Sequence, residues 1–239
     1  MKKYFMSYGT SHTYHGNLRD ISAKSFLHFN NFDSYFLLDE KSIKEDYYQK
    51  HINIFSQKRG AGYWLWKPYL IDRILSTMEE NDILMYCDSC ISQINDLSEV
   101  LTVALDRHII TFIVNDGMSD EREVCKRDAL ILTDSDNANM WSEPIPGQLG
   151  ASYIFFRKTP RTVNIVKKWL TFCEDERILT DKENVMGKPN YPMFVDHRHD
   201  QSVLSLLCKQ NDFSPIYDIT QYGNDYRKES WGQLLYHGR

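Results

Sequence analysis

The sequence predicts an α/β protein whose mostly parallel central sheet is flanked by helices. Short apolar runs typical of buried strands alternate along the 239 residues with segments of helical apolar spacing. Hydrophobic residues make up 42% of the chain and charged residues 26%, a composition that supports a packed core and argues against disorder. Neither an internal repeat nor a Pro/Gly/Ser linker divides the chain, so the pattern favours one domain.

Five short runs are predicted as strands because apolar, aromatic and β-branched residues dominate each of them. In chain order they are 3–8 (KYFMSY), 34–38 (SYFLL), 82–86 (DILMY), 109–114 (IITFIV) and 152–156 (SYIFF). In mostly parallel sheets, ligands bind beyond the carboxyl ends of the strands. This rule points to three places, which are Tyr8–Gly9, Asp39 and Cys87–Cys90.

Six segments between and after these strands are predicted as helices. Asn17 can cap the first helix. Pro68 falls in the first turn of the third helix, where a missing amide N–H costs least, and Leu70, Ile71 and Ile74 follow at helical spacing. The six predicted helices are 17–29, 45–57, 66–78, 96–107, 159–174 and 200–209. The tail from Asn211 carries no regular pattern.

Charge and cysteine content exclude several classes of protein. The net charge is −5, whereas a broad nucleic-acid surface would be basic, so we expect no nucleic-acid partner. No run approaches the roughly 18 apolar residues of a membrane span, and the first residues lack the apolar stretch of a secretory signal. Five cysteines, odd in number and well spread, fit a reducing compartment. We therefore expect a cytoplasmic protein, at most peripheral to a membrane.

The segment 59–68 (RGAGYWLWKP) combines backbone freedom, positive charge and aromatic rings. Its glycines allow a tight turn or a close approach to a ligand, its cations can neutralise phosphate, and its rings can stack on a base or a sugar. The alternative is an aromatic anchor that seats the following helix, with solvated charges beside it. The segment is neither a Walker loop nor a GxGxxG turn. The residues concerned are Gly60, Gly62, Arg59, Lys67, Tyr63, Trp64 and Trp66.

A second polar group follows the predicted strand 82–86. Asp88 at that strand end can bind a divalent cation that also holds two phosphates, or it can simply serve as a turn or cap residue. Cys87 and Cys90 have the spacing of a redox pair or of half a zinc site. A zinc site would need two more ligands and no second CxxC exists. A redox pair would prefer the helix N-terminus of a thioredoxin-like unit, so a thiol redox protein stays as the less favoured alternative.

Two more groups carry candidate chemistry. In the run 196–201 (DHRHDQ), Asp200 can act as general base toward a hydroxyl, or it can cap the following helix. Near the end of the chain, His237 is either a frayed surface residue or a metal ligand that folds back, with Arg239 near phosphate.

Four segments together resemble GT-A type nucleotide-sugar glycosyltransferases, in particular small bacterial and chlorella-virus domains that include builders of capsid glycans. The resemblance spans roughly 4–207. It implies a Rossmann-like GT-A domain over 1–239, with a nucleotide-sugar half at about 1–115 and an acceptor half at about 116–239. The four segments are RGAGYWLWKPYLI, DILMYCDSC, QLGASYIFFRKT and HRHDQSVLSLL.

The resemblance also implies a reaction. A hexosyl- or pentosyltransferase of polysaccharide biosynthesis would move a sugar from a nucleoside diphosphate sugar, by default a UDP-sugar, to a glycan, a lipid-linked saccharide or another hydroxyl acceptor. It would use Mn²⁺ or Mg²⁺, and we expect inversion at the anomeric carbon. The alternative is a non-catalytic carbohydrate- or nucleotide-binding module.

Site residues follow by the same resemblance. The DxD motif falls on Asp88-Ser89-Cys90, with a cysteine in the second acidic position, and His237 matches a C-terminal metal ligand. The missing second acid favours the binding-module alternative. His197, His199 and Asp200 match the acceptor side, with Asp200 as the base. The residues expected near the donor are Tyr8, Gly9, Asp39, Arg59, Tyr63, Trp64, Lys67 and Asp88.

Overall fold

A computed structural model describes residues 1–11, 14–114, 120–137, 147–220 and 231–238. Arg239 lies outside the described residues. The strands found there are β1 (Lys3–Tyr8), β2 (Ser34–Leu38), β3 (Ile83–Cys87), β4 (Ile91–Gln93), β5 (Ile109–Ile110), β6 (Tyr153–Arg157) and β7 (Leu235–His237).

The helices of the described residues are mostly short, and the longest surround the sheet. None is long and apolar enough to cross a membrane. They are α1 (Tyr14–Phe29), α2 (Glu45–Lys50), α3 (Ile52–Phe55), the turn α4 (Gly60–Tyr63), α5 (Trp66–Thr77), α6 (Ser98–Val103), α7 (Glu121–Val124), α8 (Arg127–Leu132), α9 (Pro160–Cys173), α10 (Glu176–Leu179) and α11 (Asp200–Gln210).

The central sheet has the strand order β2-β1-β3-β6-β5. Strand β1 is parallel to β2 and β3, whereas β6 is antiparallel to both β3 and β5, so only β6 runs against the others. This confirms the predicted mostly parallel sheet.

The sheet carries a hydrophobic core on each face because its central strands are buried on both sides. Leu84 and Tyr86 of β3 point into one core, under α5, α9 and α11, whereas Met85 and Cys87 point into the other, under α1 and α6. Helix α5 packs on α9, and α9 packs on α11. Helices therefore flank the sheet as predicted.

The strand register brings several chain segments to one edge of the sheet. Tyr8 pairs with Leu38, so β1 and β2 end together, and Cys87 at the end of β3 pairs with Tyr153 at the start of β6. The residues just beyond these pairs therefore meet, as expected at the carboxyl edge of parallel strands.

Three predicted elements differ from those in the structure. The predicted helix 96–107 is helical only over Ser98–Val103. The predicted helix 45–57 is divided at His51, whose φ of −115° and ψ of 31° end α2. The predicted strand 109–114 is regular only over Ile109–Ile110. Beyond it, Phe112 bridges Ile216 and Ile113 bridges Leu149, each as an isolated pair among the described residues.

The tail is not wholly irregular, so that prediction was wrong. Strand β7 pairs antiparallel with β4, which the sequence pattern also failed to indicate. Both strands have three residues, too few for a period-two pattern to stand out, and they form because they pair with each other.

A left-handed turn precedes α5. Five consecutive residues from Gly60 to Trp64 have positive φ, and three of them are not glycine. Each non-glycine residue in this region costs about 1–2 kcal/mol. Packing holds the turn, because a Cβ on Gly60 would lie 2.4 Å from the Trp64 ring and the Trp66 indole N–H donates to the Gly60 carbonyl at 3.0 Å. The tight turn expected from the two glycines is present.

We predict that Gly62→Ala lowers the free energy of unfolding by about 2–4 kcal/mol. Gly62 has φ +94°, and a Cβ there would lie 2.9 Å from the Phe55 Cα. Gly187→Ala is the matched control, because Gly187 has φ +76° with nothing within 4 Å of a new Cβ. We expect the control to cost only the backbone strain of about 1–2 kcal/mol, and less than Gly62→Ala. Urea denaturation measures both, and equal losses would contradict the packing argument.

Candidate active site

Two adjoining cavities open at the carboxyl edge of the sheet. The larger has a volume of about 580 Å³ and the smaller about 160 Å³, and both are lined by Trp64 and Asp88. The larger is lined by residues between Tyr8 and Cys90, whereas the smaller is lined largely by residues after Ala151. The two cavities therefore meet where β3 ends and α5 begins.

A buried lysine lies between two carboxylates at this junction. Lys67 in the first turn of α5 is 3% exposed, and its Nζ lies 3.0 Å from Asp200 Oδ2 and 3.6 Å from Asp88 Oδ1. The ammonium group also donates to the Ala151 carbonyl at 3.1 Å. Asp200 is itself 3% exposed. Residues that lie far apart in the sequence thus form one buried charge cluster.

The pKa values in this cluster are shifted by burial and by charge. Burial opposes a charge on Lys67, but Asp200 and Asp88 outweigh burial, so the lysine pKa is raised above its ordinary value. Burial raises the pKa of Asp200 to about 6, although Lys67 acts in the opposite direction. Asp200 can therefore change protonation state near neutral pH, which is a property of general bases.

Asp88 is held by the strand that precedes it. The buried Tyr86 hydroxyl donates to Asp88 Oδ1, and the Asp88 backbone N–H donates to the Ser152 carbonyl at 2.7 Å. Burial first, and then the Asp88 charge, raise the pKa of Tyr86 well above its ordinary value, so Tyr86 stays a neutral donor. The Asp88 carboxylate is fixed at the point that both cavities share.

Trp64 forms the wall between the cavities. Its ring stacks on His199 with centroids 5.4 Å apart and an interplanar angle of 26°. In the larger cavity, Tyr8 stacks on Trp66 at 3.9 Å and 16°. Flat aromatic walls of this kind suit the face of a base or a sugar ring.

The predicted histidines His197 and His199 both form hydrogen bonds with the backbone. His197 accepts from the Lys126 backbone N–H at 3.3 Å through Nδ1, so its Nε2 donates to the Ile178 carbonyl at 2.8 Å. His199 Nδ1 lies 2.8 Å from the Leu179 carbonyl. Burial lowers the pKa of both histidines. Both line the smaller cavity, yet these contacts mainly anchor the chain before α11 to α10.

Four residues expected near the donor do not line the larger cavity, and of these Lys67 and Arg59 line the smaller one. Asp39 caps a short turn by accepting from the Lys41 backbone N–H at 3.0 Å, and neither it nor Tyr63 lines either cavity. The Arg59 guanidinium lies in the smaller cavity, 3.0 Å from Asp181 and 3.0 Å from Asp196. The structure thus brings Tyr8, Gly9, Trp64, Lys67 and Asp88 together at the cavities.

Cys90 and His237 are neighbours. The pairing of β4 with β7 sets Cys90 Sγ 3.6 Å from His237 Nε2, and Cys90 lines the larger cavity with Asp88. Among the described residues, no three His, Cys, Asp or Glu side chains already converge as a metal site. This thiol, imidazole and carboxylate set fits an open cation site that substrate oxygens and water would complete, rather than a closed structural one.

Three contacts of the cluster were not singled out by the sequence. The Trp169 indole N–H donates to the Asp200 carbonyl at 2.9 Å, the Ala151 backbone N–H donates to the Gln201 side chain at 3.3 Å, and Tyr86 binds Asp88. In the sequence, Gln201 follows Asp200 and Tyr86 lies two residues before Asp88. Their positions beside the candidate carboxylates could have indicated these contacts. Trp169 lies in an ordinary amphipathic helix, and nothing in that pattern indicates its role.

Comparison with known proteins supports the fold. No protein-family model and no curated protein sequence matches the chain. Among solved structures, it is similar to apo mouse xyloside xylosyltransferase 1, with 10% identity over 99% of this chain and 98% of that chain and a TM-score of 0.52. It is also similar to the galactosyltransferase LgtC in complex with donor and acceptor sugar analogs, with 10% identity over 100% and 87% of the chains and a TM-score of 0.50. The chain therefore has the GT-A fold of glycosyltransferases, as the resemblance predicted.

Proposed function

We propose that the protein transfers a sugar from a nucleoside diphosphate sugar, by default a UDP-sugar, to a hydroxyl of a saccharide acceptor. The observation that carries this proposal is the meeting of two unequal cavities at Asp88, with Lys67 buried between Asp88 and Asp200. A transferase needs two substrate sites that share a reaction centre, and a buried charge cluster at the junction is where bond breaking would be stabilised.

The larger cavity is the proposed donor site. Its volume of about 580 Å³ suits a nucleotide, and the stacked rings of Tyr8 and Trp66 offer an aromatic wall. Gly9 lets the backbone after β1 lie close to the first turn of α1, because a Cβ on Gly9 would lie 2.4 Å from the His15 carbonyl oxygen. All of its lining comes from residues 8–90, which supports the division into a donor half at about 1–115 and an acceptor half at about 116–239.

The smaller cavity is the proposed acceptor site. It contains Asp200, whose carboxylate lies across the junction from Asp88. In its ionised form Asp200 would accept the proton of the acceptor hydroxyl as that oxygen attacks the anomeric carbon. Because the leaving diphosphate would lie on the Asp88 side, attack from the Asp200 side favours inversion.

The leaving diphosphate gains negative charge as the bond to the sugar breaks. Lys67 stays protonated between its two carboxylates, so it holds Asp88 and Asp200 in place at this point rather than offering net positive charge to the diphosphate. Asp88, Cys90 and His237 are the residues that would hold a divalent cation, which would supply charge stabilisation when bound. Tyr86 would keep the Asp88 carboxylate oriented.

We predict that Asp88→Asn weakens metal-dependent UDP binding at least about tenfold, since loss of even an outer-shell partner of a metal ligand costs about 10–100-fold. Calorimetry with UDP, GDP, CDP and TDP, with Mn²⁺ and with chelator, measures this and names the donor class. Asp106→Asn, at an exposed carboxylate away from both cavities, is the control and should bind like the parent. If no nucleotide binds the parent under either condition, the donor site is refuted.

We predict that Asp200→Asn lowers kcat by about 10²–10⁴ because the proton acceptor is lost. In the parent, kcat should fall as the pH drops through about 6, because burial raises the pKa of Asp200 to that value and protonation removes the base. The variant should lack this acidic limb of the profile, with its fold checked by circular dichroism. A parent that binds a nucleotide but neither transfers nor hydrolyses a sugar would instead be a binding module.

We predict that the product has the anomeric configuration opposite to that of the donor sugar. A single displacement from the Asp200 side inverts the carbon because the bond forms opposite the one that breaks. Proton NMR of the first product, recorded before mutarotation, distinguishes the two anomers. Retention would remove Asp200 from the role of base and leave it to position the sugars.

A further inference from the structure

A buried ion pair lies outside both cavities and has no part in the reaction proposed above. Glu121, at the start of α7, is fully buried, and the Lys209 Nζ of α11 lies 2.9 Å from its Oε1. Neither residue lines either cavity. A buried ion pair often stabilises a fold no better than apolar residues of the same volume. The charge of Glu121 therefore calls for a role besides packing.

Two glutamines connect Glu121 to the smaller cavity. Gln148 is buried, its Nε2 donates to Glu121 Oε2 at 3.4 Å, and its Oε1 accepts from Gln201 Nε2 at 2.6 Å. Gln201 is half-buried and lines the smaller cavity, and its Oε1 accepts from the Ala151 backbone N–H at 3.3 Å. A continuous chain of hydrogen bonds thus runs from the buried carboxylate to the cavity wall.

This chain of hydrogen bonds can be satisfied in only one direction. A carboxylate only accepts hydrogen bonds, and a backbone N–H only donates them. Gln148 must therefore turn its NH₂ group to Glu121 and its carbonyl oxygen to Gln201. Gln201 must then donate to Gln148 and accept from Ala151. The two chemically asymmetric ends fix both amides between them.

A neighbouring hydroxyl on α11 supports the same direction. Ser202 Oγ donates to the Val124 carbonyl at 2.8 Å, so its hydrogen is used there and its oxygen accepts from Gln148 Nε2 at 3.2 Å. The NH₂ group of Gln148 is therefore held at two points, by Glu121 and by Ser202.

The fixed direction decides what Gln201 can offer to a ligand. A glutamine amide has two N–H groups and an oxygen with two lone pairs. Gln201 uses one N–H on Gln148 and one lone pair on Ala151, so one of each is left for a ligand in the smaller cavity. A sugar hydroxyl can both donate and accept, and a site built to hydrogen-bond a hydroxyl strongly rejects a ligand that lacks it.

We propose that Glu121 acts through Gln148 as a positioning residue that fixes the direction of the Gln201 carboxamide. Gln201 then selects sugars in the smaller cavity by the orientation of one hydroxyl. The Lys209 ammonium compensates the buried charge that sets the direction. The selection of sugars rests on the proposed function, whereas the fixed direction of the amide does not.

Side-chain amide NMR of the full chain, labelled with ¹⁵N-glutamine, tests the fixed direction without any substrate. The Gln201 signals are assigned by their loss in Gln201→Leu. We expect Gln148→Leu to speed exchange of the Gln201 amide protons with water by about twofold to tenfold, because one buried hydrogen bond is lost.

Gln210→Leu is the matched control for Gln148→Leu. Gln210 Nε2, at the end of α11, also donates two hydrogen bonds, to the Thr133 carbonyl at 2.7 Å and to Ser135 Oγ at 2.9 Å. It lines neither cavity. This control should leave the exchange of the Gln201 amide protons at its parent rate.

Variants of the ion pair separate positioning from packing. Glu121→Gln combined with Lys209→Met removes both charges and leaves at 121 an amide that can donate or accept. Gln148 can then turn around, so exchange at Gln201 should rise. Lys209→Arg keeps the ion pair and should leave the exchange unchanged. A merely structural ion pair predicts no change at Gln201 in either variant, with the fold of both checked by thermal unfolding.

Four methyl β-glycosides, of glucose, galactose, mannose and xylose, test the selection of sugars because they differ in single hydroxyl or hydroxymethyl groups. At least one should shift the Gln201 amide signals of the parent. In transfer assays, Gln148→Leu should narrow the range of kcat/KM across the four by at least about tenfold. Nucleotide binding, measured by calorimetry, should stay unchanged.

Equal exchange rates in the parent and in Gln148→Leu, or an equal effect of Gln210→Leu, would overturn the fixed direction. If no glycoside shifts the Gln201 signals, or if selectivity is unchanged in a variant whose exchange has risen, Gln201 does not select sugars. These outcomes are separable from the proposed function. Absent transfer with faster exchange in Gln148→Leu refutes the transferase alone, and transfer with unchanged exchange refutes the positioning role alone.

Discussion

The buried ammonium of Lys67 is the constraint on which the arrangement of the site depends. Removing such a charge from water costs several kcal/mol unless partners compensate it. Here the partners come from the end of β3, from the start of α11 and from the carbonyl of Ala151 just before β6. If any of these segments moved away, the lysine would lose part of its compensation. The charge therefore fixes α5, β3, β6 and α11 relative to one another at the carboxyl edge of the sheet.

The left-handed turn before α5 also positions residues of the site. Backbone strain of this kind persists only where the surroundings over-determine it, and it is concentrated at functional sites. Around Gly60 and Gly62 the surroundings are close-packed against the Trp64 ring and Phe55. The turn sets Trp64 between the two cavities and delivers Lys67 three residues later, inside the first turn of α5. One local distortion thus positions both the aromatic wall and the buried charge.

The sequence predicted those features that arise from local pattern. Strands β1 and β2 have the predicted bounds, because apolar side chains follow one another along them, and Asp88 and Asp200 lie at element ends as the pattern indicates. The sequence did not predict features that depend on pairing between distant segments, such as β4 and β7. The run around His197 shows a further limit. The pattern indicates its polar residues, but it does not indicate that its histidines bind backbone carbonyls at 2.8 Å, since those carbonyls lie about twenty residues earlier in α10.

The charges of the junction bear on whether a cation is needed. Lys67 and Arg59 each lie against two carboxylates, so neither presents an uncompensated positive charge to an incoming diphosphate. Lys58 also lines the larger cavity, but it is exposed, and charges in water contribute little. Among the described residues, a diphosphate at Asp88 would therefore meet a carboxylate without enough fixed positive charge nearby. A cation at that rim would resolve the repulsion, and Cys90 and His237 are the donors that the fold places there.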